Sequence, residues 1–125
     1  MIMDYTMEPI STALRELCDM RGISGAELWA RAGVSKATLS RYVHGSRGRA
    51  PDNRAARTII KLARVLEVEP DYFLEYRVWR LMQLARLDPE AATASYNVAL
   101  DLARAGDFFG KLEALERELD DDSDA

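Results

Sequence analysis

Residue types that carry catalytic and metal sites are scarce in this sequence. It has a single cysteine, Cys18, and a single histidine, His44, which lie far apart and form no metal-ligand spacing. The lone cysteine excludes an internal disulfide and fits a reducing compartment. No glycine-rich phosphate-binding loop is present either. We therefore expect a protein that is not an enzyme and holds no metal ion or cofactor, with Cys18 as a small core residue.

Long hydrophobic runs are also missing. No stretch approaches the roughly 18 apolar residues that a membrane helix needs. The first residues, MIMDYTMEP, lack the basic start and the apolar run of a signal peptide. Glycine and proline are sparse as well, whereas 48% of the residues are hydrophobic, which is typical of a globular domain. These features predict a cytoplasmic protein without a membrane partner.

Acidic residues outnumber basic ones, and the net charge of −4 by itself argues against a nucleic-acid partner. The distribution of the charges changes that interpretation. Residues 15–64 contain eleven Arg and Lys against four Asp and Glu, whereas residues 67–125 contain six against fifteen. Such an asymmetry indicates a basic functional half and an acidic remainder.

Apolar residues recur at spacings of three and four along most of the chain, and no strand pattern is present, so the sequence predicts an all-α fold. Pro70 and Pro89 are each expected at the first position of a helix, and Gly106 after the end of one. Residues 1–7 are expected to fray and the acidic residues 120–125 to be disordered. The predicted helices span about residues 8 or 10–21, 25–32, 36–44, 54–66, 71–87, 89–105 and 108–119.

The stretch 23–45, ISGAELWARAGVSKATLSRYVHG, predicts two short helices joined by a tight turn. Ser24 is placed to cap the first helix, and Glu27 completes a capping-box pattern with it. Gly33 permits a left-handed turn, and Ser35 is placed to cap the second helix. Helices this short hold a fixed angle only through such a turn and a shared core, which is the helix-turn-helix unit.

Six residues of this unit follow one pattern, in chain order: a small residue, a turn glycine, a core plug, a cap, a core aliphatic residue and a closing glycine. They are Ala30, Gly33, Val34, Ser35, Leu39 and Gly45. In these positions the chain resembles helix-turn-helix domains of the phage-repressor-like class, the Xre family. Residues 59–74 are similar to that family's fourth helix and the start of its fifth. The resemblance covers about residues 10–74 and implies a five-helix, lambda-repressor-like DNA-binding domain. There are two departures: Gly25 stands where the family often has a phosphate-contacting Gln, and the loop 46–53 is longer and more basic than usual.

The second helix of the unit is the candidate recognition surface, because a recognition helix presents its N-terminal residues to base edges in the major groove. Arg41 is predicted to contact a guanine, Lys36 a guanine or a phosphate, and Ala37 a thymine methyl group. Ser35 is expected to reach a phosphate as well as to cap the helix. The alternative is an ordinary solvated helix face. The other candidates on this surface are Thr38 and Ser40.

Basic residues after this helix are expected to meet the DNA backbone, which positions a protein without reading sequence. The resemblance implies such a contact for three arginines and, with a neutral surface residue as the alternative, for His44. Arg57 and Lys61, farther along the chain, are interpreted as charges that serve solubility. The three arginines of the backbone group are Arg47, Arg49 and Arg54.

The predicted helix 71–87 has apolar residues on almost every side. A small five-helix domain cannot cover that much apolar surface. We therefore expect a DNA-binding domain over residues 8–74, a helical dimerisation extension over 75–119 and an acidic tail over 120–125. A two-fold dimer reads two half-sites roughly 34–36 Å apart. The alternative is a larger monomeric core. The predicted interface residues are Phe73, Tyr76, Trp79, Met82, Phe108, Phe109, Leu112 and Leu115.

These features predict a sequence-specific DNA-binding transcriptional regulator of bacterial or phage type that binds an inverted-repeat operator of double-stranded DNA as a homodimer. There it either blocks polymerase, as a repressor does, or recruits it. Three alternatives remain open. The C-terminal helices can instead hold a heterologous protein, as in an antitoxin-like or adaptor protein. The same DNA surface also suits a nucleoid-organising protein. An apolar ligand pocket among the last helices ranks below these, because no cluster of polar groups supports it.

Overall fold

The computed structural model describes residues 5–35, 37–38, 51–106 and 108–123, with side chains up to Asp120. All regular structure within these residues is helical, which confirms the predicted all-α fold. We number the α-helices that are described from end to end in chain order; the predicted helix 36–44 lies almost entirely outside the described residues and has no number. The helices are α1 (Ile10–Arg21), α2 (Gly25–Ala32), α3 (Asn53–Leu66), a 3₁₀ turn (Pro70–Tyr72), α4 (Leu74–Leu87), α5 (Pro89–Ala105) and α6 (Phe108–Ser123).

The chain divides into two compact units, Met1–Gln83 and Leu84–Ala125. In the first unit, α1, α2 and α3 pack against one another around one apolar cluster. The apolar positions of α1 and α3 recur every three or four residues, so each helix turns one face inward. The buried residues of the cluster are Ile10, Ala13, Leu14, Leu17, Cys18, Leu28, Ile59, Leu62, Ala63, Leu66 and Phe73.

The ends of α1 and α3 follow capping rules. Gly22 closes α1 in a left-handed conformation, with φ 68°. Asp52 caps α3, since its Oδ1 accepts a hydrogen bond from the Ala55 amide at 2.8 Å. Glu67 ends α3 at φ 58°, in a region that residues with a Cβ rarely occupy. The Arg21 guanidinium donates to the Leu66 carbonyl at 3.1 Å, which ties the end of α1 to the end of α3.

The prediction of one helix over residues 71–87 was wrong at its start. Pro70–Tyr72 forms a 3₁₀ turn, Phe73 adopts an extended backbone with φ −86° and ψ 133°, and α4 begins only at Leu74. The physical reason is tertiary. The extended Phe73 backbone accompanies a side chain that is fully buried in the first unit's core.

Arg77 holds this break in place and also fixes the N-terminal segment. Its Nη1 donates to the carbonyls of Asp71 and Tyr72, at 3.0 and 2.9 Å, and its Nη2 donates to the Thr6 carbonyl at 2.7 Å. The Thr6 amide in turn donates to the Tyr72 carbonyl at 3.0 Å, and the guanidinium lies 4.8 Å from the centre of the Tyr5 ring. The expected fraying of the N-terminal segment was therefore wrong from Tyr5 onward.

In the second unit, α5 and α6 pack against each other. Asp88 caps α5, with its Oδ1 accepting from the amides of Glu90 and Ala91 at 3.1 and 3.2 Å, and Pro89 is the first helical residue, as predicted. The helix α6 continues to Ser123, so the expected disorder was wrong for residues 120–123. Extending an existing helix costs far less than starting one, which accounts for the extra turn. Asp107, the residue before α6, lies outside the described residues.

Candidate nucleic-acid interface

The first helix of the predicted helix-turn-helix unit is built as its capping residue implies. The Ser24 Oγ accepts a hydrogen bond from the Glu27 amide at 3.1 Å, which satisfies one of the free backbone donors at the start of α2. The second half of the capping box does not form, because the Glu27 carboxylate lies 3.4 Å from the Arg31 guanidinium instead. Leu28 anchors the helix, since its side chain is almost completely buried.

Gly33 makes the turn between the two helices. Its backbone has φ 72° and ψ 30°, and its amide donates to the Trp29 carbonyl at 3.0 Å. A Cβ at this position would meet no other atom, so the left-handed conformation alone favours glycine here. The half-buried Val34 follows and packs against the core, where it is expected to act as a plug. The turn therefore has the geometry that the sequence predicts.

Ser35 caps the segment that follows the turn. Its Oγ accepts from the Thr38 amide at 3.1 Å and lies 2.7 Å from the Thr38 hydroxyl. The Thr38 hydroxyl thus belongs to the cap, and this side chain is half-buried. Ala37 is exposed one residue before it, so its methyl group is open to a ligand. The start of the candidate recognition helix is in this way set by a cap, a glycine turn and a core plug.

Most of the other predicted DNA contacts fall on residues that the structure does not describe. Only Arg54 of the predicted backbone group is described, and its side chain is exposed in the first turn of α3. The DNA-contact roles of Ser35, Ala37, Thr38 and Arg54 stay predictions. The other predicted DNA-contact residues lie outside the described residues, and their roles also stay predictions: Lys36, Ser40, Arg41, His44, Arg47 and Arg49.

One contact at the start of α3, next to Arg54, has no signal in the local sequence. The Trp79 indole Nε1–H on α4 donates to the Asn53 side-chain oxygen at 3.0 Å. It joins residues 26 positions apart and fixes the first residue of α3 against α4. Trp79 also lies beside Tyr76, with ring centres 5.5 Å apart. Hydrophobic spacing predicts the apolar character of Trp79 but not the partner of its N–H group.

Cys18 has the surroundings of a structural residue. It is buried in the core, and burial raises the pKa of its thiol above the ordinary value of 9.0, with a smaller contribution from the Asp19 carboxylate. A thiol of this kind is a poor nucleophile at neutral pH, because the thiolate is the reactive form. The prediction of a core cysteine is confirmed. Among the described residues, no cluster of His, Cys, Asp and Glu is arranged to hold a metal ion.

The predicted dimer-interface residues separate into three groups. Phe73 is fully buried in the first unit's core, so its assignment to an interface between copies was wrong. Tyr76 and Trp79 are half-buried and pack beside that core or the start of α3, which leaves them little free surface. Phe109 is half-buried under the Arg104 guanidinium, 5.3 Å from its ring centre. The exposed members are Met82, Phe108, Leu112 and Leu115, at 39%, 64%, 40% and 58% exposure.

Comparison with known proteins identifies the first of the two units. Residues 14–73 match the family described as helix-turn-helix, of the Xre or lambda-repressor-like type. Neither the curated proteins nor the solved structures contain a match to the chain. Within the described residues, none of the helices combines the length and the hydropathy that crossing a lipid bilayer requires. The capped α2, the Gly33 turn and the Ser35 cap all lie inside the matched range. Residues 14–73 therefore form a helix-turn-helix domain of the Xre type, and this match supports a general role as a DNA-binding transcriptional regulator.

Proposed function

We propose that this regulator binds double-stranded DNA as a homodimer and reads an inverted repeat. Each copy places its recognition helix, which follows the Ser35 cap, in one of two successive major grooves. Occupancy of the operator then blocks or recruits polymerase. Support for the DNA-reading part comes from the cap at Ser35 and the Gly33 turn, which together orient the start of that helix.

One observation carries the dimer part of the proposal. None of the described side chains of the second unit, residues 84–106 and 108–120, is buried. Several large apolar residues there are more than half exposed, among them Leu102 and Leu119 at 69% each. A unit of this size lies near the lower limit of roughly 40 residues, at which chains usually need a disulfide, a metal or a partner to fold.

A second copy is the partner that a DNA-reading function favours. Two-fold pairing is the commonest arrangement of soluble oligomers. It also gives the regulator two recognition helices, so that the DNA contacts of a short helix are doubled. The apolar residues of α6 support a helix-to-helix contact, because Phe108, Leu112, Leu115 and Leu119 recur at spacings of four, three and four, as in a coiled-coil seam.

The experiment that tests this proposal joins DNA selection with solution mass. Purified protein is incubated with fragmented genomic DNA at physiological salt, and the retained fragments are sequenced. We expect a few fragments that share an inverted repeat, bound by a species of twice the 14.1 kDa chain mass. Retention of all fragments alike would support a nucleoid-organising role instead. No retained DNA together with a co-purifying protein would support an antitoxin-like or adaptor role.

Two arginine substitutions separate reading from positioning. Arg41→Ala should weaken binding by about 1–3 kcal/mol and remove the preference at one base pair, because a bidentate contact to guanine is lost. Arg49→Ala should weaken all sequences alike and flatten the salt dependence of binding. Binding to the operator and to single-base variants of it, measured over a salt series, distinguishes the two results. Identical behaviour of both variants would contradict the division.

A further inference from the structure

The exposed face of α3 carries a row of basic side chains without acidic neighbours on the same helix. The sequence of this helix, NRAARTIIKLARVL, contains four Arg and Lys and no Asp or Glu. At 100° per residue, Arg54, Arg57, Lys61 and Arg64 fall within an arc of about 80°. All four are exposed, while the opposite face of the helix is buried in the core. We call these four residues the α3 basic row.

The four charges of the α3 basic row are not neutralised within the described part of the chain. The ion pairs there join Arg31 to Glu27 and Arg80 to Asp71, and neither involves the row. Asp52, the acidic residue nearest in sequence, is occupied as the cap of α3. A helix face that serves solubility alone usually mixes charges of both signs. Here the repulsion among four like charges is left uncompensated, which favours an anionic ligand.

We propose that the α3 basic row binds the phosphate backbone of the operator DNA, in addition to the recognition helix and its loop. This inference rests on the proposed DNA-reading function and extends it to Arg57, Lys61 and Arg64. Three observations favour DNA over an acidic protein as the ligand. The row belongs to the same unit as the recognition segment, it begins at Arg54 just after the basic loop, and three of its four members are arginines, which suit phosphate groups.

The dimensions of the row also suit DNA. From Arg54 to Arg64 the helix rises about 15 Å. Five successive phosphates of one DNA strand span a similar distance along the duplex axis, about 14 Å. The helix is held rigidly, because its buried face includes Ile59, Leu62 and Leu66 at 0% exposure and its start is fixed by the Asp52 cap. A rigid row of cations can therefore follow the backbone without a large ordering cost.

The test measures operator binding by Arg57→Gln/Lys61→Gln over a salt series. Glutamine keeps the helix propensity and removes the charge. The matched control is Arg15→Gln/Arg86→Gln, which removes two exposed charges from other helices. We expect the slope of log affinity against log salt to become less steep by about 1.8 in the first variant, since each phosphate contact contributes about 0.9, and to stay unchanged in the control. The loss should be the same for operator and non-operator DNA.

The outcomes test the proposed role of the α3 basic row separately from the proposed function. Selection of an inverted repeat by the unmodified protein tests the operator reading, whatever the variants do. If the unmodified protein selects that DNA but the Arg57/Lys61 variant keeps its slope, the row is not a phosphate-binding surface, and an acidic protein becomes the better candidate. Equal changes in both double variants would also overturn the proposal, because they would reflect net charge alone. Circular dichroism of the variants should show the helix content of the unmodified protein.

Discussion

The two units of this protein use the same helical pattern and reach opposite results. In the first unit, Leu14 and Leu17 stand three residues apart on α1 and are 1% and 3% exposed. In the second unit, Leu112 and Leu115 stand three residues apart on α6 and are 40% and 58% exposed. The spacing of apolar residues therefore determines which face of a helix is apolar. It does not determine what covers that face.

This difference in burial suits the two units to different roles. The first unit supplies its own core, so the capped α2 and the Gly33 turn rest on a rigid support. The second unit leaves its apolar residues exposed, so we expect its stability to depend on a contact outside the unit. Under the proposed dimer these are complementary properties: the helix-turn-helix unit has its own core, and the second unit has exposed apolar surface for pairing.

The largest expected effect comes from a comparison of two phenylalanine substitutions, one in each unit. Phe73→Ala should lower the free energy of unfolding by about 3–5 kcal/mol, because the side chain is fully buried and its removal leaves a cavity. Phe108→Ala removes the same group from a position that is 64% exposed and should cost much less at low protein concentration. Urea unfolding at one dilute concentration measures both. Similar losses in the two variants would contradict the contrast between the units.

The next effect concerns association rather than folding. Leu115→Asp places a carboxylate in the exposed apolar stripe of α6, where pairing of two copies would bury it unpaired. We expect the dimer dissociation constant to rise by tens of times, corresponding to about 2 kcal/mol or more. Light scattering over a dilution series measures the change. Glu113→Gln alters an exposed residue outside the stripe and should leave the mass unchanged. A Leu115→Asp protein that keeps twice the chain mass would place the interface elsewhere.

A smaller pair of effects acts on the backbone of the first unit. Gly33→Ala forces a residue with a Cβ into the left-handed region and should cost about 1–2 kcal/mol of stability. Glu67→Gly removes the same strain at the end of α3, where φ is 58°, and should stabilise the unit by up to about 1 kcal/mol. Thermal unfolding measures both the loss and the gain of stability. Only Gly33→Ala should also weaken DNA binding, since the turn orients the recognition helix.

Local signals predicted most helix ends, because a cap or a turn needs residues only a few positions apart. Ser24, Gly33 and Asp88 each act as their chemistry implies. The break before α4 was not predictable in this way. The sequence PDYFLEY is compatible with a helix, and the break depends on the burial of Phe73 and on the Arg77 contact with Thr6, which lies 71 positions away.

The candidate site was predictable to a similar extent. The Ser35 cap and the turn follow from residue type and spacing, whereas the Trp79 hydrogen bond to Asn53 depends on packing between α3 and α4. The α3 basic row is visible in the sequence as four charges at helical spacing. Its significance depends on structure, because only burial of the opposite face and the absence of ion pairs in the described residues make these charges a surface.

The smallest effect is a pH dependence that belongs to the first unit. Hydrogen bonding with Glu16 raises the pKa of the Glu8 carboxyl above 4.5, and burial and the repulsion between the two carboxylates act in the same direction. The folded state then holds this proton more tightly than the unfolded state does. The stabilisation is complete below about pH 4.5 and is lost as the pH rises through the raised pKa of Glu8.

Replacement by glutamine makes this dependence testable, because a neutral amide behaves like a carboxyl that is always protonated. Glu8→Gln should therefore be more stable than the unmodified protein at neutral pH and should lose the decline in unfolding free energy just above pH 4.5. Urea unfolding at several pH values measures both effects. Glu113→Gln removes a carboxyl from the second unit and should leave the decline in place. If the two variants have the same pH profile, the Glu8–Glu16 pair is not its source, and the acid response would belong to both units alike.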